Sequence, residues 1–171
     1  MLAGGAGAYG YLSGYLDGSG GLVKLLPREI DRDTKKPEKV LDGEIRIDAL
    51  PVPHGIVPAL GFRVSVGDVS IVFASDQNGS SAAFTEFAGD ASVLVMHVAV
   101  PEDAMGTALQ LHARPSRIAS IAAEAGAGTL VLSHFMARSL RDLDGNVDVV
   151  RRGYDGNIVV ANDLDCVVVS D

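Results

Sequence analysis

All four histidines of the chain lie beside turns or at the ends of apolar runs, and one carboxylate shares this placement. The histidines are His54, His97, His112 and His134, and the carboxylate belongs to Asp76, which ends a strand-like stretch. Neutral imidazole and carboxylate are the usual protein ligands of zinc and related divalent ions. Proteins usually deliver such ligands from strand ends and the loops that follow them. The pattern therefore predicts a metal site assembled from several segments.

Each of these residues also has a simpler interpretation when it is taken alone. A single histidine at a strand end is more often a hydrogen-bonded surface residue than a ligand. Asp76 precedes the sequence Gln-Asn-Gly and could cap a turn. His112 fits a residue at the start of a helix as well as it fits a catalytic role. The metal hypothesis therefore depends on the five residues together.

Composition favours a single packed domain and excludes several classes of protein. The chain has 171 residues, 47% of them hydrophobic, which is enough for a sizeable core. Its formal net charge of −8 and lack of a Lys/Arg cluster argue against nucleic-acid binding through a broad basic surface. The single cysteine, Cys166, lies in the apolar run Leu164 to Val169, which excludes a disulfide framework and predicts a buried side chain in a reducing compartment. We find neither a secretion signal nor a membrane-length apolar run, so we expect a cytoplasmic protein without a membrane partner.

The candidate ligands follow segments that alternate between strand and helix patterns. A half-buried strand from Glu44 to Val52 leads to His54, and a continuous apolar strand from Ser92 to Met96 ends at His97. Between them, Leu60 to Val66 and Val69 to Ala74 form a predicted hairpin around Gly67-Asp68.

The second half of the chain continues this order. Pro115 and Gly126 are typical of the first turn and the C-terminal cap of a helix, and the strand Thr129 to Ser133 then leads to His134. Strand, helix and strand in this order predict an α/β layered domain. The runs Ile158 to Ala161 and Leu164 to Val169 predict a C-terminal hairpin.

Residues 1–43 are predicted to form a loosely ordered N-terminal segment, which includes a charged excursion over Arg28 to Lys39. Within this segment, Gly5 to Gly10 match the dinucleotide fingerprint G-x-G-x-x-G. That motif binds a nucleotide only between a strand and a helix, and only four residues precede it. Binding of NAD or FAD is therefore a remote third hypothesis, and residues 44–171 carry the predicted domain.

Three segments resemble the C-terminal half of the metallo-β-lactamase fold, in its ribonuclease Z-like branch. Val52 to Val64 reads VPHGIVPALGFRV and is similar to the segment in which a ligand histidine precedes an ALGYRI-type strand. Ile71 to Asp76 reads IVFASD and is similar to the strand ending in SGDT. Leu130 to Arg138 reads LVLSHFMAR and is similar to LTHFSxR, the strongest match.

This resemblance implies a fold, a cofactor and roles for four residues. The fold would be half of an αββα sandwich with a mixed β-sheet and flanking helices. His54 would bind one metal ion, His134 a second, and Asp76 would bridge the two. The ions would be zinc, with manganese as the alternative. His112 occupies the place of the family's HST histidine and would act with Asp76 in catalysis.

The chain also departs from the family pattern. His97 matches the first letter of a HEAT segment, but Val98 replaces the glutamate that would orient the proton-transferring histidine. The His-x-His-x-Asp-His motif that supplies most ligands is absent, and no two histidines are closer than fifteen positions. We therefore expect this chain alone to bind metal weakly or not at all, and to be a fragment, a truncated product or a degenerate enzyme. Self-association, or association with a missing N-terminal half, would cover the exposed sheet.

Two functions follow as hypotheses from different classes. The first is a metal-dependent hydrolase, phosphodiesterase or ribonuclease Z-like, that acts on a phosphodiester or another small ester; RNA is a less favoured substrate because the chain is acidic. On this hypothesis the isolated chain is expected to be inactive. The alternative is a non-catalytic, metal-free half-domain that serves as a structural or interaction module.

Overall fold

A computed structural model describes Ser19 and residues 26–169. The chain divides into two compact units, Met1–Asp31 and Arg32–Asp171, and all the regular structure given below belongs to the second. The glycine-rich fingerprint at Gly5 to Gly10 lies outside the described residues.

The second unit is built on a seven-stranded mixed sheet whose strands lie side by side in chain order. The first four strands pair in antiparallel fashion, and the last four pair in parallel. The strands are β1 (Glu38–Leu41), β2 (Arg46–Val52), β3 (Ala59–Val66), β4 (Val69–Phe73), β5 (Val93–His97), β6 (Thr129–Ser133) and β7 (Asn157–Val160).

Helices fill the connections between the parallel strands, as a parallel crossover requires. A 3-10 turn at Leu140–Asp142 precedes the last of them. The helices are α1 (Ala82–Phe87), α2 (Ala108–Leu111), α3 (Pro115–Ala125) and α4 (Leu143–Gly153).

The hydrophobic core lies between one face of this sheet and the helices. Alternate strand residues such as Leu50, Leu94 and Leu130 point to this face, where they meet Ile118 and Ile121 of α3. All five side chains are at most 1% exposed. The predicted α/β fold, a mixed sheet with flanking helices, is confirmed.

The local patterns that predicted individual elements are also confirmed. Helix α3 begins at Pro115, and Gly126 caps it in the left-handed region with φ of 64°. Strands β3 and β4 form the expected hairpin around Gly67, which has φ of 56°. Strand β6 has the predicted bounds, Thr129–Ser133.

Two predictions about the C-terminal region are wrong. Residues 164–169 form no strand, and β7 instead pairs in parallel with β6. Because the predicted hairpin does not form, Cys166 is exposed rather than buried. Helix α4 provides the crossover from β6 to β7. The sequence did not predict this helix because few of its residues are buried and two arginines lie near its end.

The sheet also begins earlier than predicted. Glu38–Leu41, which overlaps the charged excursion, forms the edge strand β1, and its residues alternate between intermediate and exposed. An edge strand tolerates such charges because one side of it faces solvent. Among the described residues, no helix is both long and apolar enough to cross a membrane.

Candidate metal centre

Four of the five candidate residues lie at or just beyond the ends of strands that end at the same edge of the sheet. Strands β2 and β4 are both antiparallel to β3 and therefore run in one direction, and β5 and β6 are parallel to β4. His54, Asp76 and His134 follow the ends of β2, β4 and β6, and His97 is the last residue of β5. Strand direction thus brings these side chains to one edge.

The carboxylate of Asp76 is the centre of the group. Its Oδ1 atom lies 2.9 Å from His97 Nδ1, 3.4 Å from His134 Nε2 and 3.5 Å from His112 Nδ1. Asp76, His97 and His134 each offer a ligand atom within 4.8 Å of the others. Together these atoms make a donor set suited to a divalent cation.

Two non-glycine residues with left-handed backbone conformation position the side chains of Asp76 and His134. Ser75 and His134 both have φ of 54°, a conformation that costs roughly 1–3 kcal/mol and is frequent at functional sites. Backbone hydrogen bonds beyond the regular ladder hold these turns, from Ala74 N–H to Val95 O at 2.9 Å and from Val98 N–H to Ser133 O at 2.9 Å.

Three loops at this edge are joined by main-chain hydrogen bonds. Asn78 N–H donates to Pro53 O at 2.8 Å, which connects the loop after β4 to the loop that carries His54. Ala113 N–H donates to Gln77 O at 2.8 Å, which connects the same loop to the segment that carries His112. The positions of these two histidines are therefore coupled to that of Asp76.

His54 reaches the group through His112. Its Nδ1 atom lies 2.7 Å from Leu111 O, and because a carbonyl can only accept, Nδ1 must donate. Nε2 of a neutral ring then carries the lone pair, the arrangement usual in metal-binding histidines. The His54 and His112 rings meet edge to face with centroids 5.2 Å apart.

The surroundings of Asp76 favour its ionised form. Burial alone raises the pKa of its carboxyl, but the hydrogen bond from His97 and the nearby imidazoles of His134, His97 and His112 outweigh burial and lower that pKa. The carboxylate is thus negatively charged at neutral pH and available to a cation.

His112 is the buried member of the group. Burial lowers the pKa of its imidazole, with further lowering by His54, Arg138 and His134, while Asp76 acts in the opposite direction. The side chain is 8% exposed, and its Nδ1 atom has no hydrogen-bond partner. A buried ring nitrogen without a hydrogen-bond partner, 3.5 Å from a carboxylate oxygen, fits a site that is completed when an ion binds beside it.

The structure brings together Asp76 and His134 of the predicted ligand set and places His54 one ring away, against His112. It adds His97, which belongs to the five-residue pattern seen in the sequence but to which the family resemblance assigns no ligand role. Its position at the end of the strand between those leading to Asp76 and His134 is the signal in the sequence that points to it. The ligand and catalytic assignments themselves stay predictions.

The same arrangement of strands and helices occurs in solved structures. The metallo-β-lactamase fold protein YhfI from Bacillus subtilis superposes with a TM-score of 0.62 over 72% of this chain and 49% of that protein, at 24% identity. The chain has the metallo-β-lactamase fold. Zinc-bound PqqB from Methylobacterium extorquens shares this fold, with a TM-score of 0.51 and 13% identity over 71% of this chain and 50% of that one.

Sequence comparison supports the ribonuclease Z-like branch of this fold. Ribonuclease Z from Mycobacterium avium (strain 104) is 32% identical over 117 residues, which cover 63% of this chain. The chain spans 41% of the length of that relative. No family model matches the sequence. The predicted resemblance to a metallo-β-lactamase fold of the ribonuclease Z-like branch is confirmed.

Proposed function

We propose that this chain contributes to the metal centre of a hydrolase that cleaves phosphodiester bonds. The observation that carries the proposal is the Asp76 carboxyl group with three imidazoles within 3.5 Å of its Oδ1 atom, at one edge of the sheet. The similarity to a ribonuclease Z supports a phosphodiester as the bond that is cleaved.

The proposed ligands are His54, Asp76 and His134. His54 and His134 would each bind one of two divalent ions, and Asp76 has two oxygens with which to bridge them. Zinc is favoured because the donors are imidazole and carboxylate and because a protein with this fold is zinc-bound, and manganese is the alternative. Such ions supply Lewis acidity toward a phosphoryl oxygen and lower the pKa of water.

His112 is proposed to move a proton during cleavage. It rests as the neutral imidazole because burial lowers its pKa. Nδ1 faces Asp76 at 3.5 Å, so the ring can hold its proton on that side and use Nε2 toward the departing oxygen. Asp76 would stabilise the ring while both nitrogens are protonated.

The substrate is proposed to be a phosphodiester or another small ester, with RNA less favoured. A net charge of −8 gives no long-range attraction to a polyanion, so a long RNA would need local contacts to bind.

The one cysteine, Cys166, is exposed and unpaired, which supports a reducing, cytoplasmic compartment.

Hydrolysis of bis(p-nitrophenyl) phosphate by the full-length gene product, supplied with zinc or manganese, tests this proposal. Asp76→Ala should abolish activity. Asp68→Ala deletes a carboxylate in the exposed turn of the β3–β4 hairpin and should leave activity intact. Equal activity in wild type and Asp76→Ala would refute the assignment.

Lack of hydrolysis with either metal would favour the second candidate, a non-catalytic structural or interaction module. The observation behind this candidate is that the sequence contains no His-x-His-x-Asp-His motif.

A further inference from the structure

We infer that His97 is a metal ligand, and that Asp76, His97 and His134 form a site for one divalent cation that this chain provides on its own. The inference deepens the proposed function, since it concerns the same centre and assigns it a ligand outside the set proposed above. The first ion to bind would use His97, and His54 would not be needed for it.

The distances among the three donors fit a single small cation. A zinc ion about 2.0–2.2 Å from each ligand in tetrahedral geometry places neighbouring donors roughly 3.3–3.6 Å apart. His134 Nε2 lies 3.4 Å from Asp76 Oδ1. His97 Nδ1 lies 2.9 Å from the same oxygen, at hydrogen-bond distance, so the His97 ring must carry its proton on Nε2 instead when an ion binds. All three donors are within 4.8 Å of one another, which leaves shifts of about 1 Å to reach the spacing around a zinc ion.

The backbone holds these residues in register. Strands β4, β5 and β6 are adjacent and parallel, and His97 lies directly opposite Ser133, the residue before His134. The rings of His97 and His134 are consequently 4.6 Å apart between centroids. Ligands on neighbouring strand ends lose little further freedom when an ion binds.

Exposure distinguishes this trio from the other two histidines. The side chains of Asp76, His97 and His134 are 31%, 26% and 45% exposed, so an ion can enter and keep a water ligand on the open side. His112 is only 8% exposed, and its Nδ1 atom lies 3.5 Å from Asp76 Oδ1. His54 is not one of the three clustered donors, and its ring lies against His112 with centroids 5.2 Å apart.

His97 has a simpler alternative role, which is to orient Asp76 through the Nδ1 hydrogen bond alone. Substitution by asparagine separates the two roles, because its side-chain amide can donate to the Asp76 carboxylate but is a poor ligand for zinc or cobalt. An orienting residue should be rescued by asparagine, and a ligand should not.

Titration of the metal-free chain with Co²⁺, followed by visible absorption and by calorimetry, tests the inference. We expect one high-affinity ion per chain in the wild type, in contrast to the weak or absent binding that the missing His-x-His-x-Asp-His motif predicts. His97→Ala and His97→Asn should both weaken its binding by more than about 100-fold, beyond the usual effect of losing a group that only orients a ligand. His54→Ala should change it by less than about threefold. Circular dichroism verifies the fold, and His97→Asn decides the question if His97→Ala does not fold.

Two results would overturn the inference: binding of Co²⁺ by His97→Asn as tight as wild type, or loss of the first ion in His54→Ala with its retention in His97→Ala. Neither depends on hydrolysis. Binding that requires His97 in a protein without phosphodiesterase activity would instead refute the proposed function and leave this inference standing.

Discussion

Replacement of Gly79 by alanine tests whether the loop that carries Asp76 is fixed by close packing. Gly79 is buried with φ of 74°, and an added Cβ would lie 2.8 Å from Arg117 Cγ and 3.2 Å from both Ala113 Cβ and Ile121 Cδ1. The Arg117 side chain cannot move away without breaking its hydrogen bond from Nε–H to Gly79 O, which is 2.8 Å long. The left-handed backbone costs an alanine about 1–2 kcal/mol. Overpacking adds about 1–3 kcal/mol, and the stiffer unfolded chain returns about 0.4–1 kcal/mol.

The expected loss for Gly79→Ala is therefore roughly 1–4.5 kcal/mol in the free energy of unfolding. Gly67→Ala is the matched control, since Gly67 has φ of 56° but no atom within 4 Å of an added Cβ. Urea denaturation of both variants isolates the packing contribution, expected at about 1–3 kcal/mol. In thermal unfolding this difference amounts to roughly 2–4 °C per kcal/mol. Equal destabilisation of the two variants would refute the packing argument.

Three further predictions concern titration, a buried hydroxyl and a helix cap. In the metal-free protein, the pKa of the His112 imidazole should lie below 6.5 when it is measured by NMR. The stability that this lowered pKa contributes is then fully present above pH 6.5 and is lost as the pH falls through the folded-state pKa. A midpoint at or above 6.5 would contradict this prediction. Tyr154→Phe removes a 2.6 Å hydrogen bond to Ala127 O and should lower the free energy of unfolding by about 1–3 kcal/mol, against no change in the urea midpoint if the bond is unimportant. Ser81→Ala removes the side-chain cap on Phe84 N–H and should lower it by about 1 kcal/mol, whereas an unchanged midpoint would show that the cap contributes nothing.

Sequence predicted best the elements whose signals are local. Strand β6 is a continuous apolar run, helix α3 has Pro115 at its start and Gly126 at its end, and Gly67 defines a hairpin. Proline fixes its own φ and glycine adopts positive φ without a steric cost, so these signals belong to single residues and can be seen in the sequence.

Sequence failed where pairing partners decide the structure. The run Ile158 to Val160 fits a hairpin with the following residues as well as a parallel edge strand. In the structure it pairs with β6, and the crossover helix α4 packs on α3. Cys166 lost its predicted burial for the same reason. His97 was left out of the ligand set because the family resemblance gives it no metal, and its nearness to Asp76 depends on the order of β4 and β5, which one-dimensional spacing does not contain.

Zinc affinity of the Asp76→Ala variant, measured by equilibrium dialysis against wild type, tests the central claim that this carboxylate organises a metal centre. Asp68→Ala serves as the control for the lost charge. We predict that Asp76→Ala weakens zinc binding by more than about 100-fold while Asp68→Ala binds as wild type. Equal zinc binding by Asp76→Ala and wild type would contradict the account.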